Sequence, residues 1–96
     1  MFTHVVLFKL NNPTKENVES FAGILKAMDG NIPQLISVEV GEDELFSERS
    51  YHVSLITKFE SLEKMQEYQV HPYHVNEVLK YIKPMIESSI TVDYSI

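Results

Sequence analysis

Segments with β-strand character alternate along this chain with helical patterns, and their order restricts the fold more than any other feature. Residues 2–10 and 51–59 are dense in β-branched and aromatic side chains, and each run stops at polar or proline-containing residues. Residues 33–43 alternate between polar and apolar side chains, and residues 88–96 provide a last strand. We therefore predict four strands, with a loop joining the second to the third.

The first helical pattern lies between strands one and two. Val18, Phe21, Leu25 and Met28 recur at spacings of three and four, which is the period of an amphipathic helix. Thr14 precedes them and is suited to cap the helix N-terminus. This pattern predicts one helix that covers the sheet.

The second helical region follows strand three and contains a proline. Ser61 is a suitable N-cap for a first helix that ends near Val70. Pro72 interrupts the pattern, because proline lacks the backbone N–H that a helix interior requires. A second apolar stripe then continues to about Glu87, so we predict two helices here.

The resulting order is β-α-β-β-α-α-β. Right-handed crossovers turn it into the split β-α-β, ferredoxin-like arrangement of the α+β class, an antiparallel sheet of strand order 4-1-3-2 with all helices on one face. The 96 residues suffice for one domain and not for two, so we predict a single domain over residues 1–96.

Both faces of the predicted strands carry apolar side chains, although a sheet with one solvated face would alternate cleanly. We place an apolar patch on the helix-free face: Val5, Leu7, Val53, Leu55, Ile90, Val92 and Tyr94. Soluble monomers rarely expose patches of several hundred Å². We therefore predict a homodimer in which two helix-free faces pack across a two-fold axis as a dimeric α/β-barrel.

The charge balance and the missing motifs exclude several classes of function. A formal charge of −6 without a basic cluster argues against nucleic acid and anionic membranes as partners. The chain has no cysteine, which fits a reducing compartment, and no signal-peptide pattern at its start, so we expect a cytoplasmic location. Nucleotide-binding glycine motifs and a nucleophile elbow are absent, and we expect no cofactor.

The most specific candidate for chemistry is the segment 68–74, which reads YQVHPYH. Pro72 in a first helical turn would make His71 the N-cap and put His74 near the helix N-terminus, whose partial positive charge favours a neutral imidazole. A neutral His74 can act as a general base, and the hydroxyl of Tyr68 could hold a carbonyl oxygen. Helix capping with surface exposure is the alternative interpretation of the same residues.

Further polar candidates are expected on the helix-facing side of the sheet. His4 begins strand one and Asp93 ends the antiparallel strand four, which brings them within side-chain reach. His52 is expected on the same side at the opposite end of strand three. Each of these groups could instead be hydrogen-bonded on its own. His71 and His74 with His4 or Asp93 could ligate a metal, but no zinc-binding spacing supports this, and we predict no metal site.

Four segments resemble, in order and over nearly the whole chain, the stress-responsive dimeric α/β-barrel (Dabb) family: HVVLFK from His4, FES from Phe59, YQVHPYH from Tyr68 and VDY from Val92. The resemblance implies a ferredoxin-like fold that dimerises through its sheets.

The resemblance extends to the site of a plant polyketide cyclase of this family, which forms olivetolic acid. Matching positions are His4, His52, Tyr68, His71, His74 and Asp93. In such a site His74 would be the base acting on a carbon between carbonyls and Tyr68 would hold a carbonyl oxygen, promoting intramolecular aldol closure. The residues 21–23 and 75–77 differ from those of that cyclase, so we do not expect the same substrate. A non-catalytic, stress-associated dimer with capping or packing histidines is the alternative.

Overall fold

A computed structural model of residues 1–96 shows one antiparallel sheet with helices on one face. Its strands are β1 (Phe2–Leu10), β2 (Ser37–Glu42), β3 (Val53–Phe59) and β4 (Ile86–Ser95). They lie in the order β2-β3-β1-β4, with every neighbouring pair antiparallel. This is the predicted order read from the other edge, and the ferredoxin-like fold is confirmed.

Two regular helices, α1 (Lys15–Lys26) and α2 (Leu62–Val70), follow β1 and β3. Thr14 Oγ1 accepts a hydrogen bond from a backbone N–H in the first turn of α1, and Ser61 Oγ does the same for α2. Both predicted N-caps are confirmed, because each satisfies a donor that the first helical turn leaves unpaired. Neither these helices nor any other in the chain is long and apolar enough to cross a membrane.

The third helical segment, residues 74–85, departs from a regular helix. It consists of a π-helical stretch His74–Leu79, the short α3 (Lys80–Ile82) and a 3₁₀ turn Lys83–Met85. We predicted helix to about Glu87, but β4 already begins at Ile86, where the backbone is extended and pairs with the end of β1. The 3₁₀ turn contains a proline, which cannot continue the helical hydrogen bonding.

The strand register decides which side chains face the helices. Alternate residues of β1 and β3 are buried beneath them, namely Phe2, Val6, Phe8, Leu10, Val53, Leu55 and Phe59. The prediction that Val53 and Leu55 lie on the helix-free face is therefore wrong. Directly paired residues share a face, and Leu55 pairs with the buried Val6, whereas Ile56 pairs with Val5 on the other face. A shift of one residue in the assumed alternation of β3 exchanges the two faces.

The helix-free face nevertheless carries an apolar surface. Ile90, Val92 and Tyr94 of β4 are 50%, 55% and 41% exposed. Val5 lies beside Val92 in the adjacent strand β1, and Leu7 lies beside Ile90. Val5, Leu7, Ile90 and Val92 border a shallow groove on this face. Nothing in the single chain covers this surface.

Candidate functional site

A cavity of about 390 Å³ lies between the sheet and the third helical segment. We call it the sheet–helix cavity. Most of its lining is apolar and comes from both layers: Val6, Phe8, Leu25, Leu55, Val78, Leu79, Ile82 and Ile86. Its polar lining residues are His4, Tyr68, His74, Lys83 and Ser89. An apolar cavity of this volume with a few polar side chains is typical of small-molecule sites.

His74 is the first residue of the π-helical stretch, and its side chain lines the cavity. Its Nδ1 lies 3.1 Å from the carbonyl oxygen of Gln69. A carbonyl oxygen only accepts, so in the neutral ring Nδ1 carries the proton and Nε2 keeps its lone pair. Nε2 is neither hydrogen-bonded to the protein nor sealed from solvent.

The surroundings of His74 favour its neutral form. Burial lowers the pKa of this imidazole, and the hydrogen bond to Gln69 opposes that shift. Coulombic repulsion from the protonated forms of His4, His71 and Lys83 lowers the pKa further. A neutral imidazole with an accessible Nε2 can remove a proton from a bound molecule.

His4 and Asp93 form a hydrogen-bonded pair beside His74. They are directly opposite each other in the β1–β4 register, and Nδ1 of His4 contacts Oδ1 of Asp93. The predicted proximity of these two residues is confirmed. The carboxylate of Asp93 accepts from Nδ1 and so fixes the orientation of the ring. Catalytic and metal-bound histidines are often held in the same way, by a hydrogen bond to one ring nitrogen while the other acts. It leaves Nε2 of His4 as the ring nitrogen available to a ligand.

Tyr68 contributes its ring to the cavity wall and its hydroxyl to the core. Its side chain is only 1% exposed, and its ring lies 4.3 Å from that of His74, measured between centroids. The hydroxyl donates to Sδ of Met28 at 3.7 Å. Burial raises the pKa of the Tyr68 phenol, so the group remains a donor at neutral pH. A thioether is a weak acceptor, and a ligand oxygen would be a stronger partner for this hydroxyl.

The structure does not bring His52 and His71 to the cavity. Nδ1 of His71 accepts from the backbone N–H of Tyr73 at 3.1 Å, a bond of the kind expected of the predicted N-cap, although Tyr73 holds the N-cap position of the segment that begins at His74. Nδ1 of His52 accepts from the backbone N–H of Leu10 at 2.9 Å. His52 lies just before β3 and lines grooves outside the sheet–helix cavity, not the helix-facing side on which we placed it. No group of three acidic or histidine side chains could hold a metal ion.

Two polar lining residues, Lys83 and Ser89, do not emerge from the sequence patterns. Ser89 pairs directly with Phe8, so it shares the helix-facing side with that buried residue. If the register between β1 and β4 had been known, it would have placed Ser89 on the helix-facing side. Lys83 follows the buried Ile82 in a 3₁₀ turn, and no periodic pattern anticipates that turn.

The comparisons with known proteins agree with this fold. The sequence profile of the stress responsive A/B barrel domain (Dabb) matches residues 2–96. A dimeric protein of unknown function with a ferredoxin-like fold from Bacteroides fragilis is 30% identical, with a TM-score of 0.85 and coverage of 99% of this chain and 95% of that chain. A dimeric ferredoxin-like protein of unknown function from Thermobifida fusca is 25% identical, with a TM-score of 0.84 and coverage of 99% and 90%.

A solved structure with a named activity shares the fold alone. The hydroxynitrile lyase from Passiflora edulis is 13% identical, with a TM-score of 0.79 and coverage of 99% of this chain and 92% of that chain. No curated protein matches the chain in sequence. The site must therefore be interpreted from its own residues.

Proposed function

The chain belongs to the stress responsive A/B barrel domain (Dabb) family, and we propose that it binds a small organic molecule in the sheet–helix cavity, where His74 acts as a general base. The observation that carries this proposal is the state of the His74 ring. Nδ1 is engaged by Gln69, and Nε2 retains its lone pair in an apolar cavity. A base in a mostly apolar cavity can take a proton from a ligand that fills the space around it.

The chemistry proposed is proton abstraction from a carbon that lies between two carbonyl groups. Nε2 of His74 takes the proton as the C–H bond breaks, and the electron pair moves onto a carbonyl oxygen. The enolate carbon then attacks a third carbonyl group, farther along the same molecule, and a ring closes. The proton on His74 passes to the new alkoxide. This is cyclase-like chemistry, similar to that of the family member that forms olivetolic acid. We propose a different substrate, because residues 21–23 and 75–77 differ from those of that cyclase.

The remaining candidate residues are assigned supporting roles. Tyr68 would turn its hydroxyl from Met28 to the developing enolate oxygen, which is stabilised by a positioned donor. His4, held by Asp93, would accept a hydrogen bond from a hydroxyl group of the ligand through Nε2. His52 and His71 would support only the local fold, because each accepts from a backbone N–H near a strand or helix end and neither lines the cavity.

A non-catalytic dimer is the second candidate function. Three observations favour it: the Tyr68 hydroxyl is bonded within the core, and His52 and His71 bond to backbone N–H groups as capping residues do. In that case the cavity would bind ligands without turnover or remain unused. The first candidate is preferred because this alternative does not use the accessible Nε2 of His74.

We also propose that the chain forms a homodimer through its helix-free sheet face. Its relatives from Bacteroides fragilis and Thermobifida fusca are dimeric proteins. The exposed Ile90, Val92 and Tyr94 supply an apolar surface of the kind that dimers bury. A cytoplasmic location stays a prediction.

Benzoylacetone tests the proposed chemistry, because it is a small apolar β-diketone with an acidic carbon between its carbonyls. We expect the protein to accelerate exchange of that carbon's proton for deuterium by about 100-fold over free imidazole at equal concentration. Proton NMR in D₂O measures the exchange. Binding in the cavity without any acceleration would favour the non-catalytic candidate and contradict the base role of His74.

A further inference from the structure

Lys83 and Ser89 are exposed polar residues that line the sheet–helix cavity, and they therefore lie at its opening to solvent. We infer that the cavity selects organic anions, holding a carboxylate at this opening through Nζ of Lys83 and the hydroxyl of Ser89 while the apolar body of the ligand lies inside. This inference rests on the proposed function, since it requires that the cavity hold a ligand. It specifies the chemical class of that ligand.

The charge distribution supports an anionic partner for Lys83. The chain carries a net charge of −6, yet no acidic residue lines the cavity. The ion pairs of the chain are His4 with Asp93 and Lys64 with Glu67, so Lys83 has none. An unpaired ammonium beside an apolar cavity attracts a carboxylate more strongly than the same group surrounded by water.

The strand register gives the length over which a ligand can extend. Ser89 pairs with Phe8, and Asp93 pairs with His4, so the two polar ends of the cavity are four residues apart on β1. At strand geometry this separation is about 13 Å. Phe8, Val6 and Leu55 are apolar lining residues of the intervening sheet surface. The arrangement suits a molecule with an anionic end, an apolar body and a reactive carbonyl region near His4 and His74.

Two matched pairs of probes test the inference: octanoate with octanamide, and cinnamate with cinnamamide. Each pair shares an apolar body and differs in the charge of its head group. The probes are titrated into ¹⁵N-labelled full-length protein, and backbone shifts give both the site and the dissociation constant. The wild type is compared with Lys83→Met, which removes the charge but keeps an apolar stem. Lys80→Met is the matched control, because Lys80 lies in the same helical segment and does not line the cavity.

We expect the wild type to bind each acid about fivefold to tenfold more tightly than its amide, in keeping with a single charge-assisted contact near the surface. Lys83→Met should abolish this preference, and Lys80→Met should keep it. Equal affinity of acid and amide in the wild-type cavity would overturn the inference and leave cavity binding intact. A preference that survives Lys83→Met would overturn the assignment to Lys83. If no probe shifts any cavity residue, both this inference and the proposed binding function fail.

Discussion

Replacement of His74 by glutamine is expected to lower the rate of benzoylacetone proton exchange by about 10²-fold to 10⁴-fold, the usual contribution of a positioned general base. Glutamine is polar and of similar length, but its amide has no basic nitrogen near neutral pH. The change therefore removes the proton acceptor at Nε2 without emptying the space that the imidazole fills. Exchange rates of the variant and the wild type, measured at equal concentration by proton NMR, test this expectation.

His71→Gln is the matched control for this experiment. His71 lies three residues earlier in the same segment and does not line the cavity. Its Nδ1 accepts from the backbone of Tyr73, so the substitution should cost about 1 kcal/mol of folding free energy, as the loss of a cap does, and leave the exchange rate near wild type. Equal loss of exchange in both variants, or no loss in His74→Gln, would contradict the assignment of the base to His74.

Replacement of Val92 by aspartate is expected to convert the proposed dimer into a monomer. Val92 is 55% exposed in the chain and lies beside Val5 on the helix-free face. In a two-fold interface the substitution places an unpaired carboxylate in both copies. Burying an uncompensated charge costs about 3–5 kcal/mol, so even one of the two carboxylates raises the dissociation constant by about 10²-fold to 10⁴-fold. Sedimentation equilibrium over a range of protein concentrations measures this constant.

Leu45→Asp provides the control for the dimer experiment. Leu45 is an apolar residue that is 79% exposed, but it lies in the loop between β2 and β3 and not on the sheet face. The same change of side chain there should leave the dissociation constant unaltered. A wild-type protein that sediments as a monomer would contradict the proposed dimer. A Val92→Asp variant that remains fully dimeric would show that another surface forms the interface.

The fold could be predicted from the sequence because its signals are local. Thr14 and Ser61 cap helices as expected, since an N-cap depends on a few adjacent residues. The two faces of β3 could not be assigned in this way. Both alternating sets of side chains in β3 include apolar residues. Only the pairing with β1 decides that Leu55 lies in the core and Ile56 on the helix-free face.

The site could be predicted where it depends on strand order, and could not where it depends on side-chain packing. His4 meets Asp93 because the two ends of antiparallel β1 and β4 are adjacent. The contact of the Tyr68 hydroxyl with Met28 joins α2 to the turn that follows α1, and no spacing in either helix reveals it. The position of Lys83 likewise follows from a 3₁₀ turn after an irregular helix.

The ring nitrogens of His74 provide the most direct test of the proposed base. ¹⁵N NMR of the histidine rings, recorded as a pH titration, distinguishes the two neutral tautomers and gives the pKa of each ring. We predict that His74 carries its proton on Nδ1 and that its pKa lies below the ordinary value of 6.5. It should therefore remain mostly neutral where an ordinary histidine is half protonated, and lose its basic lone pair only at lower pH. A proton on Nε2 in the neutral ring, or a pKa above 6.5, would contradict the proposed role of His74.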